Sequence, residues 1–172
     1  MDIQIFGNDT LKIKSKKATL AIDPKPLVQK FDADAVLVID KNCDPSRVNE
    51  SRIILDGVGE YEISGLKISG LKSKETMYVL SYEGVDAVIA KASSLENLSA
   101  DKVGEYKIVI INADADLNQS IITAMEPSVV VLYGEKKKEL AKILGKENAL
   151  LSSKITIMED KLPEEMDVML LG

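Results

Sequence analysis

The amino-acid sequence predicts an α+β fold, an αββα sandwich in which helices cover two packed β-sheets. Three observations predict it. Short segments with strand patterns fill the first two thirds of the 172-residue chain. Helical patterns occur only in the last third, where further strands separate them. No linker, composition shift or internal repeat divides the sequence, so residues 1–172 are expected to form a single domain.

The N-terminal segments predict an antiparallel meander with tight turns. Apolar and polar residues alternate in the first two segments, and the third stops at Asp23-Pro24. The predicted strands are Met1–Phe6, Leu11–Lys14 and Thr19–Ile22. Residues 1–30 hold six lysines and three aspartates, a local charge of 6 − 3 = +3. Lysines of this kind are typical of an exposed edge strand that must not pair with another chain. The edge prediction rests on Lys12, Lys14, Lys16 and Lys17.

The middle of the chain predicts strands that are buried on both faces. Ala35–Ile39 and Ile53–Leu55 are continuous apolar runs, which is typical of covered strands. Segments 61–65 and 66–70 predict a hairpin with Gly65 at its corner. The remaining strands are expected at Thr76–Tyr82, Val85–Ala90, Ile108–Ile111, Val129–Leu132, Lys154–Met158 and Val168–Leu171.

Two helices are predicted in the C-terminal part. Asn118–Met125 can form a short helix with Asp116 as its N-cap. Glu135–Leu144 has the clearer helical pattern, and Gly145 follows it where a C-cap glycine belongs. The inner face of this second helix is expected to consist of Leu140, Ile143 and Leu144.

The composition excludes several kinds of catalysis. The chain has no histidine, so it has no Ser-His or Cys-His nucleophile pair, no imidazole general base and no zinc site with imidazole ligands. Its one cysteine, Cys43, excludes an internal disulfide and a cysteine-rich zinc cluster.

Charge and hydropathy limit the partners. Lys and Arg number 22 and Asp and Glu 28, so the net charge is −6, which argues against general nucleic-acid binding. The sequence shows no signal-peptide pattern and no apolar run near the roughly 18 residues of a membrane helix. We therefore expect a cytoplasmic protein without membrane contact. Its expected partner is a second copy of the chain or an unidentified protein.

The turns between the strands are more specific than the strands. A Gly turn follows the first strand, Asp-Pro ends the third, and an Asp-Gly-x-Gly-Glu-Tyr-Glu segment precedes a hairpin. Residues 1–135 thereby resemble the metallo-β-lactamase fold, in particular the small metal-dependent hydrolases near the ascorbate-6-phosphate lactonases. The segments that carry the resemblance, in the order of that family, are Gly7–Thr10, Ile22–Pro24, Ala33–Ile39, Asp40–Pro45, Asp56–Glu62 and Glu126–Gly134.

The resemblance implies a metal site whose ligands are lost. In active members of that family, histidines and an aspartate bind two metals, usually zinc, which supply a hydroxide nucleophile. Of the main motif only the aspartate is retained, as Asp44, and its last histidine is replaced by Pro45. The metal-bridging position has no clear counterpart, and the nearest stretch is Ala90–Ser94. Because ligand number and ligand type are both lost, a zinc pair is not expected. The vestigial positions are Asn8, Asp40, Asn42, Asp44 and Gly134.

Two interpretations of the remaining polar residues stay open. Asp23, Asp40, Asn42 and Asp44 could converge where the family holds its metals, and their oxygen atoms would suit Mg²⁺ or Mn²⁺. Alternatively they cap turns at strand ends, which is the interpretation we favour. Residues 112–118 resemble a calcium loop only superficially, because Leu117 stands where glycine is needed. Lys41 is two residues from Cys43 but Asp44 opposes its charge, and the chain has no histidine, so Cys43 is expected to be inert.

The sequence thus predicts a degenerate metallo-β-lactamase-fold protein with no catalytic residues and no cofactor. We expect it to act as a binding or scaffolding module. The alternatives are a hydrolase that uses an oxygen-ligand Mg²⁺ or Mn²⁺ site around Asp40 and Asp44, and a subunit of a larger complex.

Overall fold

Two β-sheets pack face to face in the computed structural model, which describes residues 1–96, 98–100 and 103–172. The helices in these ranges are α1 (Ala92–Leu95), α2 (Gln119–Thr123) and α3 (Lys137–Ile143). The strands are β1 (Asp2–Phe6), β2 (Thr10–Lys14), β3 (Thr19–Ile22), β4 (Phe31–Asp32), β5 (Ala35–Leu37), β6 (Val48–Asn49), β7 (Ile53–Leu55), β8 (Gly59–Ile63), β9 (Leu66–Leu71), β10 (Met77–Tyr82), β11 (Val85–Lys91), β12 (Ile108–Asn112), β13 (Val129–Tyr133), β14 (Leu151–Ser152), β15 (Lys154–Thr156) and β16 (Asp167–Leu171).

The first sheet has six strands in the order β15-β1-β2-β3-β5-β7. Strands β1 to β3 form the predicted antiparallel meander, and β3, β5 and β7 run parallel. The alternation of β2 explains its placement, since Leu11 and Ile13 are buried between the sheets.

The prediction of an edge strand at β2 is wrong, because β2 lies between β1 and β3. The lysines of β2 instead face away from the second sheet, opposite Leu11 and Ile13. Lys12 Nζ lies 5.6 Å from the centroid of the Phe31 ring. Alternation therefore predicted a half-buried strand correctly but carried no information on its neighbours.

The second sheet has eight strands in the order β14-β16-β13-β12-β11-β10-β9-β8. Strands β8 to β11 are antiparallel neighbours, and β11, β12, β13, β16 and β14 run parallel. The predicted hairpin is confirmed, with Ser64 and Gly65 both at positive φ in its turn. Residues of β12 alternate between the inter-sheet core (Ile108, Ile110) and the helical side (Val109, Ile111), which explains its continuous apolar run.

The helices cover the outer face of the eight-stranded sheet. Leu140, Ala141 and Leu144 of the α3 region are buried there, whereas Ile143 is 45% exposed, so its predicted inward position is wrong. Gly145 has φ +74°, and its N–H donates to Lys142 O. Together with the bond from Lys146 N–H to Ala141 O, this is a complete Schellman cap, as the glycine predicted.

The N-cap of α2 differs from the predicted one. Asn118 Oδ1 accepts from the Ser120 N–H at 3.0 Å, while Asp116 is bound instead by Lys136 Nζ at 2.9 Å. The N-cap therefore lies two residues after the predicted one.

The outer face of the six-stranded sheet is covered by an irregular segment that includes the short parallel ladder of β4 and β6. Phe31, Ala33 and Val48 of this segment pack on Ala21 and Val36. The structure is thus a strand-rich α+β sandwich of the predicted class. No helix in the described part of the chain is both long and apolar enough to cross a membrane.

Candidate functional site

The candidate site lies at the edge of the sandwich where the carboxyl ends of strands from both sheets meet. In the eight-stranded sheet, Lys91, Asn112 and Tyr133 end three parallel strands and lie side by side in register. In the six-stranded sheet, Asp23 follows β3 and Asp40 follows β5. Such an edge is where open parallel sheets usually bind ligands.

A single ammonium group organises this edge. Lys91 Nζ lies 3.1 Å from Asp40 Oδ2, 3.3 Å from Glu75 Oε2 and 3.3 Å from Asp114 Oδ2. Lys25 Nζ approaches the same Asp40 oxygen at 3.5 Å. The side chain of Lys91 is only 12% exposed, so these carboxylates have largely replaced its water. We call Lys91 with Asp40, Glu75 and Asp114 the ammonium cluster.

The carboxylates of the ammonium cluster hold Lys91 in its charged form. Burial lowers the pKa of Lys91, but the hydrogen bond to Asp40 and the charges of Asp114, Asp40 and Glu75 outweigh it and raise the pKa above its ordinary value. Lys91 is therefore a permanent cation at neutral pH, not a neutral amine nucleophile.

The pKa values of Asp40 and Asp114 shift in the opposite direction. Burial alone would raise the pKa of Asp40, yet the Asn42 N–H and the two lysines lower it overall. Burial also opposes ionisation of Asp114, but hydrogen bonds from Ser93 and the Lys91 charge lower its pKa. Both aspartates are thus ionised at neutral pH.

Asp23 is a buried anchor between two strands. It is 1% exposed, and its Oδ1 accepts from Ile39 N–H at 2.7 Å and from Asp40 N–H at 2.9 Å. Burial raises its pKa to about 6, although these two hydrogen bonds work against that rise. Asp23 thereby fixes the loop that carries Asp40, and its own backbone has φ +45°.

Asp44 and Asp40 have separate partners. Asp44 caps a 3-10 helix at Pro45–Arg47, where its side chain accepts from Ser46 N–H at 3.1 Å and from Arg47 Nε at 3.1 Å. The Ser46 hydroxyl, then Arg47, lower the pKa of Asp44. Asp40 Oδ1 accepts from Asn42 N–H at 2.8 Å, and the Asn42 side chain is exposed. Asn8 lies in the exposed turn between β1 and β2.

Gly134 is buried at the end of β13 with φ +88°. A Cβ atom there would overlap Asn112 Oδ1 and come within 3.2 Å of Ala113 N. Where the resemblance implies a histidine ligand, the side chain of Asn112 therefore occupies the place that a Cβ atom would take. Asn112 Oδ1 and Tyr133 Oη, both buried, have no hydrogen-bond partner among the described residues.

A groove of about 480 Å³ opens beside the ammonium cluster. Acidic and basic side chains share its wall, which also includes the Cys43 region and Ile54 of β7. Burial, followed by the nearby Asp23 carboxylate, raises the pKa of Cys43 to about 12, so its thiol is neutral at physiological pH. A larger groove of about 570 Å³ lies near the amino end of β16, away from these charged groups.

The donor set does not fit the zinc pair of the fold family. The chain offers no imidazole. The Asp40 carboxylate already forms ion pairs with the ammonium groups of Lys91 and Lys25. Within the ranges that the structure describes, no group of three or more His, Cys, Asp or Glu side chains is arranged to hold a metal ion.

Sequence reasoning did not single out Lys91, Glu75 or Asp114. Their positions held a usable signal. Lys91 directly follows a buried strand, Asp114 lies two residues after the next parallel strand, and Glu75 precedes the antiparallel strand β10. Those three points meet at one sheet edge once the strand order is known.

Comparison with known proteins agrees with this architecture. No protein-family profile matches the sequence, and no curated protein matches it. Among solved structures, the chain is similar to a protein named as a zinc-dependent hydrolase of the metallo-β-lactamase superfamily from Thermotoga maritima, with 18% identity, 99% of this chain and 98% of that chain covered, and a TM-score of 0.75.

Two further structures show the same likeness. One is named as a metal-dependent hydrolase from Parabacteroides distasonis, with 11% identity, 99% and 93% coverage and a TM-score of 0.64. The other is an isothiocyanate hydrolase from Delia radicum gut bacteria, with 12% identity, 91% and 99% coverage and a TM-score of 0.60. These likenesses show that the chain has the metallo-β-lactamase fold.

Proposed function

We propose that this protein is a metal-independent, non-catalytic member of the metallo-β-lactamase fold that acts as a binding or scaffolding module. The observation that carries the proposal is the ammonium cluster. Lys91 supplies a fixed positive charge to three carboxylates at the sheet edge where the fold's hydrolases would hold metal.

The charge balance of the ammonium cluster supports the proposal. Carboxylates that crowd one another need a cation, and Lys91 meets that need from within the chain. A divalent ion would have to displace Lys91 or lie beside it. At about 4 Å and an effective dielectric constant of about 20, each pair of unit like charges costs roughly 4 kcal/mol.

The side chains that could act as nucleophiles in place of a metal-bound hydroxide also support the proposal. In metal-dependent hydrolysis the metal generates a hydroxide near neutral pH, and the usual replacements are a thiolate, an amine or a hydroxyl beside a base. Cys43, with its pKa at about 12, and Lys91, with its pKa raised, are both protonated. The chain has no histidine to activate a serine.

The proposed partner is a protein, either a second copy or another chain, because the net charge of −6 disfavours nucleic acid. The cytoplasmic location stays a prediction from the sequence. The groove beside the ammonium cluster is the proposed small-ligand or peptide surface of the module.

The test is metal content together with turnover. The protein is purified without chelator, its metal is measured by elemental analysis, and it is assayed with phosphodiester, lactone and thioester substrates in the presence of Zn²⁺, Mg²⁺ or Mn²⁺. We expect substoichiometric metal, no metal-dependent rise in melting temperature and no turnover. Stoichiometric metal with sustained turnover would contradict the proposal, and a Mg²⁺ or Mn²⁺ effect that Asp40→Asn removes would support the hydrolase alternative.

A further inference from the structure

Strand β7 forms one edge of the six-stranded sheet and pairs with β5 on its inner side. The ladder extends beyond the strand, since Arg52 N–H donates to Asp34 O and Val38 N–H donates to Leu55 O. No strand of the described residues pairs with the other side of β7, where Ser51 Oγ donates to Ile53 O at 3.2 Å, and an unpaired strand edge is a template for strand addition.

The side chains of residues 52–56 that point away from the inter-sheet core are apolar at the centre of this segment and charged at its two ends. Leu55 points into the core between the sheets, so Arg52, Ile54 and Asp56 share the opposite face by the period of two. All three are exposed, and Ile54 is 52% exposed. Ile53 is also exposed on the same strand, so the prediction that Ile53–Leu55 is covered on both faces is wrong.

The two charges are arranged symmetrically about Ile54. Arg52 lies two residues before it and Asp56 two residues after it. Neither side chain forms an ion pair within the part of the chain that the structure describes. An antiparallel pair of identical strands centred on Ile54 would therefore place each arginine opposite an aspartate. Centring the pair on Ile53 or Leu55 would place a charge opposite Ile54.

The other sheet edges are less suited to pairing with themselves. Strand β8, the edge of the eight-stranded sheet, exposes Glu60 and Glu62. Strand β14, at the other edge of that sheet, is two residues long, and β15 exposes Lys154, which is bound to Asp2 at 2.7 Å. Like charges and short strands are features that protect edges from association.

We propose that β7 pairs antiparallel with β7 of a second copy, in the register that places Ile54 against Ile54 and Arg52 against Asp56. The pairing joins two six-stranded sheets into one continuous sheet across a two-fold axis. Ile54 and Asp56 also line the groove beside the ammonium cluster. The second copy thus brings its arginine to the rim of that groove and completes the wall.

The size of the contact sets the expected strength. Stable dimers usually bury about 1,200–2,000 Å² in total, and the pairing of residues 52–56 with the same segment of a second copy buries less. We therefore expect a weak dimer that forms in a concentration-dependent manner and loosens at high ionic strength.

The experiment is sedimentation velocity over a wide range of concentrations, with a charge swap as its centre. Arg52→Asp and Asp56→Arg each create two like-charge contacts across the axis, so each is expected to weaken dimerisation about tenfold or more. The double variant restores opposite charges and is expected to return to within about threefold of the wild type. Ile54→Lys is expected to abolish the dimer.

The matched control is Ile143→Lys, since Ile143 is 45% exposed on α3 and lies away from this edge. It is expected to leave dimerisation unchanged. Every variant is expected to fold, because all the altered residues are exposed. Thermal melts check this. The proposal is overturned if the wild type stays monomeric at all concentrations. It is also overturned if Ile54→Lys leaves the dimer unchanged, or if the double variant does not regain the dimerisation affinity of the wild type. Metal content and turnover are not involved, so this failure and failure of the proposed function are separable.

Discussion

Lys91 Nζ lies 3.1 Å from Asp40 Oδ2, and this ion pair joins the last residue of β11 to the loop that follows β5. The two strands belong to different sheets. One charge pair therefore connects the halves of the sandwich at the candidate site. Its strength bears both on the stability of the fold and on which ions the site accepts.

Lys91→Met is expected to destabilise the fold by about 1–3 kcal/mol at neutral pH, because three carboxylates lose their shared cation. The carboxylates are 24–31% exposed, so the loss is smaller than for a fully buried pair. Urea unfolding measures it. In this variant alone, Mg²⁺ or Mn²⁺ is expected to raise the melting temperature, since a metal can take the place of the ammonium.

The matched control for that prediction is Lys25→Met. Among the residues that the structure describes, Lys25 forms an ion pair with the Asp40 carboxylate alone, at 3.5 Å, and its removal leaves Lys91 in place. No metal-dependent stabilisation is expected. If the two variants respond to metal equally, Lys91 has no special role at the site.

Asp23→Asn is expected to remove one component of the pH dependence of stability. The pKa of Asp23 is raised from 3.8 to about 6 by burial, so the folded state binds this proton more tightly than the unfolded state. The wild type therefore loses stability from this group as pH rises from about 4 to 6, by up to about 3 kcal/mol. Asparagine keeps an acceptor for both N–H groups and tolerates the positive φ.

The measurement is the difference in unfolding free energy between wild type and Asp23→Asn at pH 4, 5, 6 and 7. Relative to the variant, the wild type should become less stable as the pH increases. A constant difference would mean that Asp23 has an ordinary pKa. Asp23→Ala is expected to be about 2–4 kcal/mol less stable than Asp23→Asn at every pH, because two buried N–H groups lose their acceptor.

Gly134→Ala is expected to destabilise the protein by about 2–4 kcal/mol. The new Cβ overlaps Asn112 Oδ1, and the backbone is held at φ +88°. The matched control is Gly84→Ala, whose φ is +81° but whose Cβ would meet nothing within 4 Å. That variant should lose only the conformational part, about 1 kcal/mol.

Adding Asn112→Ala to Gly134→Ala is expected to recover part of the loss, because it removes the overlapping oxygen. Denaturant unfolding of the four-protein cycle gives the coupling free energy. Additive losses would show that the overlap is absorbed by the backbone instead.

Cys43 is expected to react with iodoacetamide about a thousandfold more slowly at pH 8 than the same thiol in the unfolded chain. The cause is its pKa of about 12, since only the thiolate reacts. Because the thiolate fraction grows about tenfold per pH unit below the pKa, the alkylation rate should rise about tenfold per pH unit and keep rising through pH 10. Mass spectrometry of the alkylated peptide measures it, with urea-unfolded protein as reference. A rate that levels off below pH 9 would contradict the prediction.

Local features of the fold were predictable from the sequence. The alternation in β2 and the glycine at position 145 depend on residues within a few positions, and both had the expected outcome. The edge assignment for β2 was wrong because strand order depends on pairing with β1 and β3, which the lysines do not report.

The candidate site was predictable only in part. Asp23, Asp40 and the vestigial position of Gly134 all follow strands whose carboxyl ends meet at the candidate site, the first two in the six-stranded sheet and Gly134 in the eight-stranded sheet. Lys91 stands 51 residues from Asp40, and their contact follows from the packing of two sheets rather than from any spacing. The loss of the histidines could be seen in the sequence, whereas the partners of Lys91 became identifiable only once the strand order was known.

Strand β1 hydrogen-bonds to β15, with Ile3 opposite Ile155. During synthesis β1 leaves the ribosome long before β15 exists, and at 5–20 residues per second the interval is about seven to thirty seconds. Throughout it the β1 edge has no partner, and a sheet built on such distant pairings folds slowly. The nascent chain is therefore most exposed to aggregation in this interval, and shielding by a chaperone would matter more here than for the finished protein.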